Sequence, residues 1–400
     1  MSTMTKARQW TGPALLSYGF RPFFLFAGVH AALVVAIWTL WLDGVAPLPT
    51  AFPPVAWHAH ELLFGYAIAA VAGFLLTAVP NWTGRLPVVG LPLLALFGLW
   101  LLGRAAMAAS AFLHPVALAL LALLFPVALL ALVAREVLAG RNMRNVKVVV
   151  VLAALCLAQL CFHVEVFRTG ASVYSQRLAI AAYVLLIMIV GGRIVPSFTT
   201  NWIKRENPGR TPKPFDLYDK VAMIVGAAGL IAWVAAPAFT QFGLACGALF
   251  ALAAVLQIVR LARWAPDRVW GEMLVAVLHV AYAFIPLGFM LAAASAILDS
   301  RAFDTATIHC WAIGAIGLMT LAVMTRATRG HTGHALVAPP STSALYVLLA
   351  AAAIARIAAV FLHNSSIALT VAGLAWSAAF AGFALVYGPM CIAPRATNQA

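Results

Sequence analysis

The chain alternates long apolar stretches with short polar segments, and this pattern predicts helices that cross a membrane. The apolar stretches run continuously over about 20 residues, the length that an α-helix needs to span the hydrocarbon core. A membrane barrel would instead alternate apolar and polar residues along each strand. Glycine, proline and charged clusters bound the stretches, so we predict about twelve spans. The predicted spans are 22–42, 57–79, 91–110, 114–134, 147–168, 174–198, 218–237, 241–262, 270–298, 306–325, 342–362 and 366–389.

The composition agrees with a protein that lipid surrounds. Apolar residues make up 64% of the chain and charged residues only 9%, against about 25% charged residues in soluble domains. So few charges cannot cover a surface that faces water. We therefore predict an all-α fold, a polytopic membrane helical bundle that forms a single transmembrane domain over residues 1–400, with the lipid bilayer as its main partner.

The basic residues predict the direction of the spans. The net charge is +14, but there is no separate basic domain or phosphate loop, so nucleic acid is not a predicted partner. Lysine and arginine instead concentrate in alternate loops, as they do on the cytoplasmic side of membranes. Both termini are therefore predicted to be cytoplasmic. The residues on that side are Lys6, Arg8, Arg85, Arg135, Arg141, Arg144, Lys147, Lys204, Arg205, Arg210, Lys213, Lys220, Arg260, Arg263, Arg268, Arg326, Arg329 and Arg395.

Three spans end in similar sequences, which suggests an internal repeat. The second, sixth and tenth spans end with residues 73–82, 195–202 and 317–326, all on the predicted cytoplasmic side. Their spacing of four spans suggests three four-helix units with parallel topology. Chance similarity among apolar helices is an equally good explanation. The three units would cover residues 15–138, 146–262 and 268–391.

The densest group of candidate metal ligands lies at the outer start of the second span, in Trp57-His58-Ala59-His60-Glu61. Ionisable groups inside a membrane are costly, so each is a functional candidate. On a helix, His58 and Glu61 share a face, whereas His60 points almost opposite to His58. Both histidines can bind one metal ion only if the first turn is unwound; otherwise they serve two sites. Glu61 is a candidate to orient a ligating imidazole, and the alternative is a solvated helix cap.

Other histidines extend this set on the outer side. His309 begins the tenth span, and His163 lies near the outer end of the fifth. Both could therefore meet His58 and His60 in the outer leaflet. Three imidazoles from different helices would suit copper, and one or two would suit haem iron.

The remaining candidate ligands lie deeper or on the inner side. His279 is well inside the ninth span and has Tyr282 on its own face, while His30, alone in the first span, is expected to bond a neighbour. His331 and His334 follow the tenth span. They would share a helix face, although the glycines around them favour a turn.

Arginines at three inner span ends are candidates to pair with haem propionates, because a guanidinium binds carboxylates in bidentate fashion. They are Arg21, Arg193 and Arg326. Ordinary snorkelling explains Arg326 equally well. Arg193 lies in Gly191-Gly-Arg-Ile-Val-Pro196, which is predicted to interrupt the sixth span and line a cavity. Tyr66 and Asn81 of the second span complete the predicted cofactor contacts.

Several stretches, in order and over nearly the whole chain, resemble the NnrS family. The resemblance implies a twelve-span bacterial inner-membrane protein that contains haem, of the b type, and copper. It also implies a role in denitrification and in protection from nitrosative stress. It does not assign a histidine to either metal. The stretches are Phe20-Arg-Pro-Phe-Phe24, Trp57-His-Ala-His-Glu61, Phe74-Leu-Leu-Thr-Ala-Val-Pro-Asn-Trp-Thr-Gly84, Gly191-Gly-Arg-Ile-Val-Pro196 with Asn201-Trp202, Leu278-His-Val-Ala-Tyr282 and the run from His309 to His334.

The resemblance favours a protein that handles nitric oxide, or another small diatomic, at a haem and copper centre by reduction, sequestration or sensing. Reduction would make it a haem–copper oxidoreductase that also needs an electron donor. Two other functions fit the same residues. One is a transporter of metal or of a small metal complex that uses the histidines for coupling. The other is a scaffold for respiratory assembly that has no metal or cofactor site.

Overall fold

Every predicted span forms a helix in the computed structural model, which describes residues 10–42, 44–45, 48–85, 87–238, 243–362 and 365–396. Twelve helices in this part of the chain are long and apolar enough to cross a membrane. The predicted all-α membrane bundle is therefore confirmed, and its spans imply a lipid bilayer environment. Lys6 and Arg8, which helped to predict the direction, lie outside the described residues. In chain order the helices are α1 (Phe20–Leu42), α2 (Pro54–Thr83), α3 (Leu91–Ala108), α4 (Pro115–Ala139), α5 (Met143–Thr169), α6 (Tyr174–Glu206), α7 (Leu217–Ala238), α8 (Gly243–Ala262), α9 (Met273–Leu298), α10 (Arg301–Thr332), α11 (Pro340–Phe361) and α12 (Ser366–Ile392).

Three helices extend well beyond their predicted ends. Helices α2, α6 and α10 have 30, 33 and 32 residues, because helical hydrogen bonding continues into the polar residues at their ends. Each contains a π-helical segment, at Glu61–Ala67, Ile187–Gly191 and Cys310–Gly317 respectively. Such segments are rare and occur frequently at functional sites. These are also the three helices whose C-terminal ends have similar sequences, although the division into three repeat units stays a prediction.

The stretch from Gly191 to Pro196 does not interrupt α6, so that prediction was wrong. Gly191 and Gly192 have helical dihedral angles, and the helix continues through Pro196 to Glu206. The wider π turn leaves a carbonyl available, and that of Met188 accepts a 3.2 Å hydrogen bond from Arg260. The Arg260 side chain needs a glycine at position 192, since a Cβ at Gly192 would lie 2.3 Å from the Nη2 of Arg260.

The chain divides into two compact units, and the first contains the described residues of 1–179, 323–336 and 377–400. In this unit α1 packs on α2, α3 packs on α4, and α4 also contacts α2 and α5. The Phe23 ring lies 5.4 Å from that of Phe125 and 5.8 Å from that of Phe97. Most of α2 is consequently buried, so its polar side chains face protein rather than lipid.

The second unit contains residues 180–322 and 337–376, described apart from 239–242 and 363–364. Here α8 packs along α9, α7 packs on α8, and α10 contacts both α9 and α11. The indole of Trp311 in α10 donates a 3.1 Å hydrogen bond to the carbonyl of Ile285 in α9. That close approach needs Gly288, where a Cβ would lie 2.1 Å from the Nε1 of Trp311. These contacts hold α10 firmly against α9.

Candidate metal and cofactor sites

His60 is fully buried in the first unit, at the point where α2 changes from an α-helix to the π-helical segment. Its Nδ1 lies 2.9 Å from Oε1 of Glu61. An ionised carboxylate only accepts hydrogen bonds, so the Nδ1–H of His60 donates to it. The neutral ring then carries its lone pair on Nε2. That atom is buried and has no hydrogen-bond partner among the described residues.

His163 of α5 faces His60 in the same pocket. The two ring centroids are 5.1 Å apart, with the planes at 72°. His163 is 1% exposed, and neither of its ring nitrogens has a hydrogen-bond partner in the described part of the chain. An ion about 2.0–2.1 Å from a ring nitrogen lies about 3.2 Å from the ring centroid, so two rings that share an ion have centroids up to about 6.4 Å apart. The observed separation is compatible with one shared ion.

The walls of this pocket are aromatic. The Phe52 ring lies 5.8 Å from that of His60 and 5.5 Å from that of His163. Phe64 and Phe162 also contact the His60 ring, at 5.4 and 5.5 Å. These walls offer no hydrogen bonds to the two imidazoles. A buried polar atom without a partner costs about 1–3 kcal/mol, so three such nitrogens in one pocket call for an explanation.

Glu61 connects the His60 ring to a buried charge cluster. Arg104 of α3 binds its Oε1, and Nε2 of His30 in α1 lies 3.1 Å from its Oε2. The Glu61 side chain is 4% exposed and that of Arg104 is 11% exposed. The arginine compensates the carboxylate, and this allows Glu61 to remain ionised so far from water. Arg104 was not predicted as a site residue, although a single arginine inside an apolar span was a signal for it.

His58 has a different environment from His60. Its ring stacks on Trp38 of α1, with centroids 4.7 Å apart and planes at 22°. The first turn of α2 is helical from Pro54 to His60, so it is not unwound as a single shared site would require. The carboxylate of Glu61, predicted to share a face with His58, binds His60. The two histidines therefore face different neighbours, as the regular helix dictates.

The second unit contains His279 and His309, each with one ring nitrogen held by a neighbour. Nε2 of His279 lies 2.8 Å from Oγ1 of Thr199, whose hydroxyl donates to the carbonyl of Val195. The hydroxyl therefore accepts from the imidazole, which leaves the lone pair on Nδ1, a buried atom without a partner among the described residues. Nδ1 of His309 donates in the same way to the carbonyl of Thr305, at 2.8 Å.

Tyr282 belongs to a buried hydrogen-bond network. Its hydroxyl donates to Gln257 at 2.7 Å and accepts from Arg260 at 2.8 Å. Arg260, 1% exposed, also binds Asp219 at 3.0 Å. Arg260 was predicted to be one of the cytoplasmic loop charges, whereas it is buried. The signal for its burial was the glycine at 192, where a Cβ would collide with the Arg260 guanidinium.

Arg21 joins two distant parts of the first unit. Its Nη1 donates to the carbonyls of Cys391 and Ala393, at 2.9 and 2.6 Å, and more weakly to that of Met390 at 3.3 Å. These carbonyls end α12 and lack helical partners, so the guanidinium caps the helix. The predicted propionate partner therefore also has a structural role.

His331 and His334 lie where α10 ends. His331 is in the last turn, whereas His334 follows the turn at Gly333, which has a φ of 86°. The two histidines therefore do not continue one helix face. Nδ1 of His334 lies 2.9 Å from Oγ1 of Thr332.

The other predicted cofactor contacts are Tyr66, Asn81, Arg193 and Arg326. Tyr66 is buried against Phe380, with ring centroids 5.0 Å apart. Asn81 is exposed and donates to the carbonyl of Thr77 at 3.2 Å. Arg193 is exposed and Arg326 is partly buried. In the described residues, no group of three or more His, Cys, Asp and Glu side chains is arranged to hold a metal ion. The candidate ligands therefore occur in pairs or singly.

The helices and their buried charges define a multi-pass α-helical membrane protein. A family model described as NnrS protein matches residues 14–395. The chain therefore belongs to the NnrS family. Membership suggests a role in the nitric oxide response, and the family is generally associated with haem and copper. A search of curated proteins found no match.

Proposed function

We propose that this protein binds b-type haem and copper in the bacterial inner membrane and handles nitric oxide there, with the copper ion held between His60 and His163. One observation carries the proposal: the two buried imidazoles face each other among aromatic rings and present three ring nitrogens without hydrogen-bond partners among the described residues. A bound ion would use the lone pairs and remove the cost of burying them.

The donor set favours copper. Imidazole suits copper, zinc, iron and nickel, and among divalent first-row ions copper binds nitrogen ligands most tightly. Glu61 is engaged with His60, Arg104 and His30, so it supports the ligand instead of binding the metal. A carboxylate that accepts from the outer nitrogen of a ligating imidazole fixes the tautomer and raises the basicity of the ring. The family association with haem and copper agrees with this choice.

Each residue around the pair has a distinct role. Glu61 fixes the His60 ring, and Arg104 with His30 maintains the charge of Glu61. The phenyl rings of Phe52 and Phe162 exclude water, which keeps a small apolar molecule such as nitric oxide in a dry environment. When bound, haem iron supplies a site for the diatomic, and copper supplies a second site or an electron.

Metal and haem analysis of purified protein tests this proposal. We expect copper and haem in the wild type after copper-supplemented, haem-replete expression. His60→Ala and His163→Phe should lose the copper, and the metal-free His163→Phe protein should unfold no earlier than the metal-free wild type, because phenylalanine removes two unpaired nitrogens.

His114→Ala is the matched control, because His114 is an exposed helix cap whose ring accepts from the amide of Val116 at 3.3 Å. Its copper content should equal that of the wild type. A wild type without copper and without Soret absorbance would refute the proposal. Copper that dialysis removes, together with uptake of copper into proteoliposomes, would favour the transporter instead.

A further inference from the structure

A cavity of about 1020 Å³ opens where the first unit brings three segments together. The segments are residues 10–21, which lead into and begin α1, the end of α10 and the residues that follow α12. On the predicted topology this is the cytoplasmic side. Its volume is at the upper end of the range of about 300–1,000 Å³ for small-molecule and cofactor pockets. The cavity is therefore large enough for a bulky cofactor.

The walls of the cavity are held in place by specific bonds. Arg21 caps the end of α12, as described above, and the amide of Ala396 donates to the carbonyl of Thr332 at 2.9 Å. Gly333 allows this approach, since its φ is 86° and a Cβ there would lie 2.5 Å from the carbonyl oxygen of Ala396. The cavity is thus preformed by the fold, which lowers the cost of binding.

The lining combines aromatic rings, imidazoles and positive charge. The His331 ring stacks on Tyr18 at 5.4 Å and lies 5.5 Å from Phe20. Arg21 and Arg395 contribute two guanidinium groups, and the described lining contains no Asp or Glu. Burial raises the pKa of Tyr18, so its phenol remains neutral. A large planar ligand with carboxylate groups matches this chemistry.

His334 is the lining residue best prepared to bind a metal. The hydroxyl of Thr332 donates to the carbonyl of Thr328 at 2.7 Å, so it accepts from Nδ1–H of His334. The lone pair of the neutral imidazole then lies on Nε2. A neighbouring acceptor that fixes the tautomer is typical of metal-binding histidines.

We propose that this cavity binds the haem, with His334 as an iron ligand, His331 and Tyr18 as the aromatic wall, and Arg21 and Arg395 as partners of the propionates. The proposal rests on the proposed function, because it takes the haem from there. It separates the two metals, with copper at the His60–His163 pair and haem in the cavity.

Spectra of the purified full chain test this assignment. We expect His334→Ala to lower haem content by about tenfold or more, and Thr332→Val, which removes the acceptor, to weaken haem binding by about 10–100-fold. His334→Met should shift the Soret and α bands, because the axial ligand sets the electronic state of the iron. A purely structural role would not produce that shift. Copper content should stay at the wild-type value in all three variants.

Two controls make the outcomes distinct. Gly333→Ala should lose haem, because its Cβ closes on Ala396, whereas Gly170→Ala has a similar φ of 74° with nothing within 4 Å and should keep it. A wild type that contains haem, together with a His334→Met variant of unchanged spectrum and unchanged haem content, would overturn the assignment and leave the proposed function intact. A wild type that contains no haem would overturn both.

Discussion

Replacement of Glu61 by glutamine is expected to weaken copper binding by about 10–100-fold and to lower the free energy of unfolding by about 3–5 kcal/mol. The neutral amide leaves the positive charge of Arg104 without a counterion in an apolar environment, and breaking a buried pair from one side is strongly destabilising. It also replaces the carboxylate that accepts from Nδ1–H of His60 with a neutral amide oxygen, which is a weaker acceptor. Copper titration and equilibrium unfolding in mixed micelles measure the two effects separately.

Two further variants separate the effect on copper binding from the effect on the free energy of unfolding. Glu61→Gln combined with Arg104→Gln removes the unpaired charge, so most of the stability should return while copper binding stays weak. Glu165→Gln is the matched control, because Glu165 is partly buried and binds the amides of Val173, Tyr174 and Ser175 at 2.8–3.0 Å. Glu165→Gln should lower the free energy of unfolding by about 1 kcal/mol, as the loss of a helix cap does, and leave the copper affinity unchanged. Wild-type copper affinity in Glu61→Gln would contradict the role of Glu61.

Arg260→Met should lower the free energy of unfolding by about 3–5 kcal/mol. It leaves Asp219 buried without its principal partner, and it removes donors from the carbonyl of Met188 and the hydroxyl of Tyr282. Arg210→Met is the control, since Arg210 and its partner Asp267 are 57% and 60% exposed. Such an exposed pair contributes about 0–1 kcal/mol. An equal loss of unfolding free energy in both variants would contradict a stabilising role for the buried network of Arg260.

Gly192 provides an independent test of the same network. Gly192→Ala should displace the guanidinium of Arg260, because its Cβ would lie 2.3 Å from Nη2. The displacement should lower the free energy of unfolding. This loss should largely disappear in the Arg260→Met background, where the guanidinium is absent. Fully additive losses would instead show that Gly192 acts independently of Arg260.

The helices were predictable because long apolar stretches leave few alternatives in a membrane. All twelve were found, although polar residues concealed the true ends of α2, α6 and α10. The stretch with Gly191 and Pro196 looked like a break because both residues weaken helices. The helix instead continues, with Gly192 packed against Arg260 of another helix. The local sequence does not show a contact between residues so far apart in the chain.

The candidate sites were predictable only as single residues. Glu61 was predicted to orient an imidazole, but helix spacing placed it on the face of His58, whereas it binds His60. His163 was a candidate to join the two histidines. The pairing of Glu61 with Arg104 and His30 depends on three helices meeting, which spacing along one helix does not show. The separation of His58 from His60 followed from helix geometry, whereas the stacking of His58 on Trp38 did not.

X-ray absorption at the copper K edge tests the central claim, that His60 and His163 share a copper ion. For the copper-loaded wild type we predict nitrogen ligands at about 2.0 Å with the outer-shell scattering of two imidazoles. The His163→Phe variant should lose that signature. A copper environment dominated by sulfur, or one that is identical in the wild type and in His60→Ala combined with His163→Phe, would contradict the account.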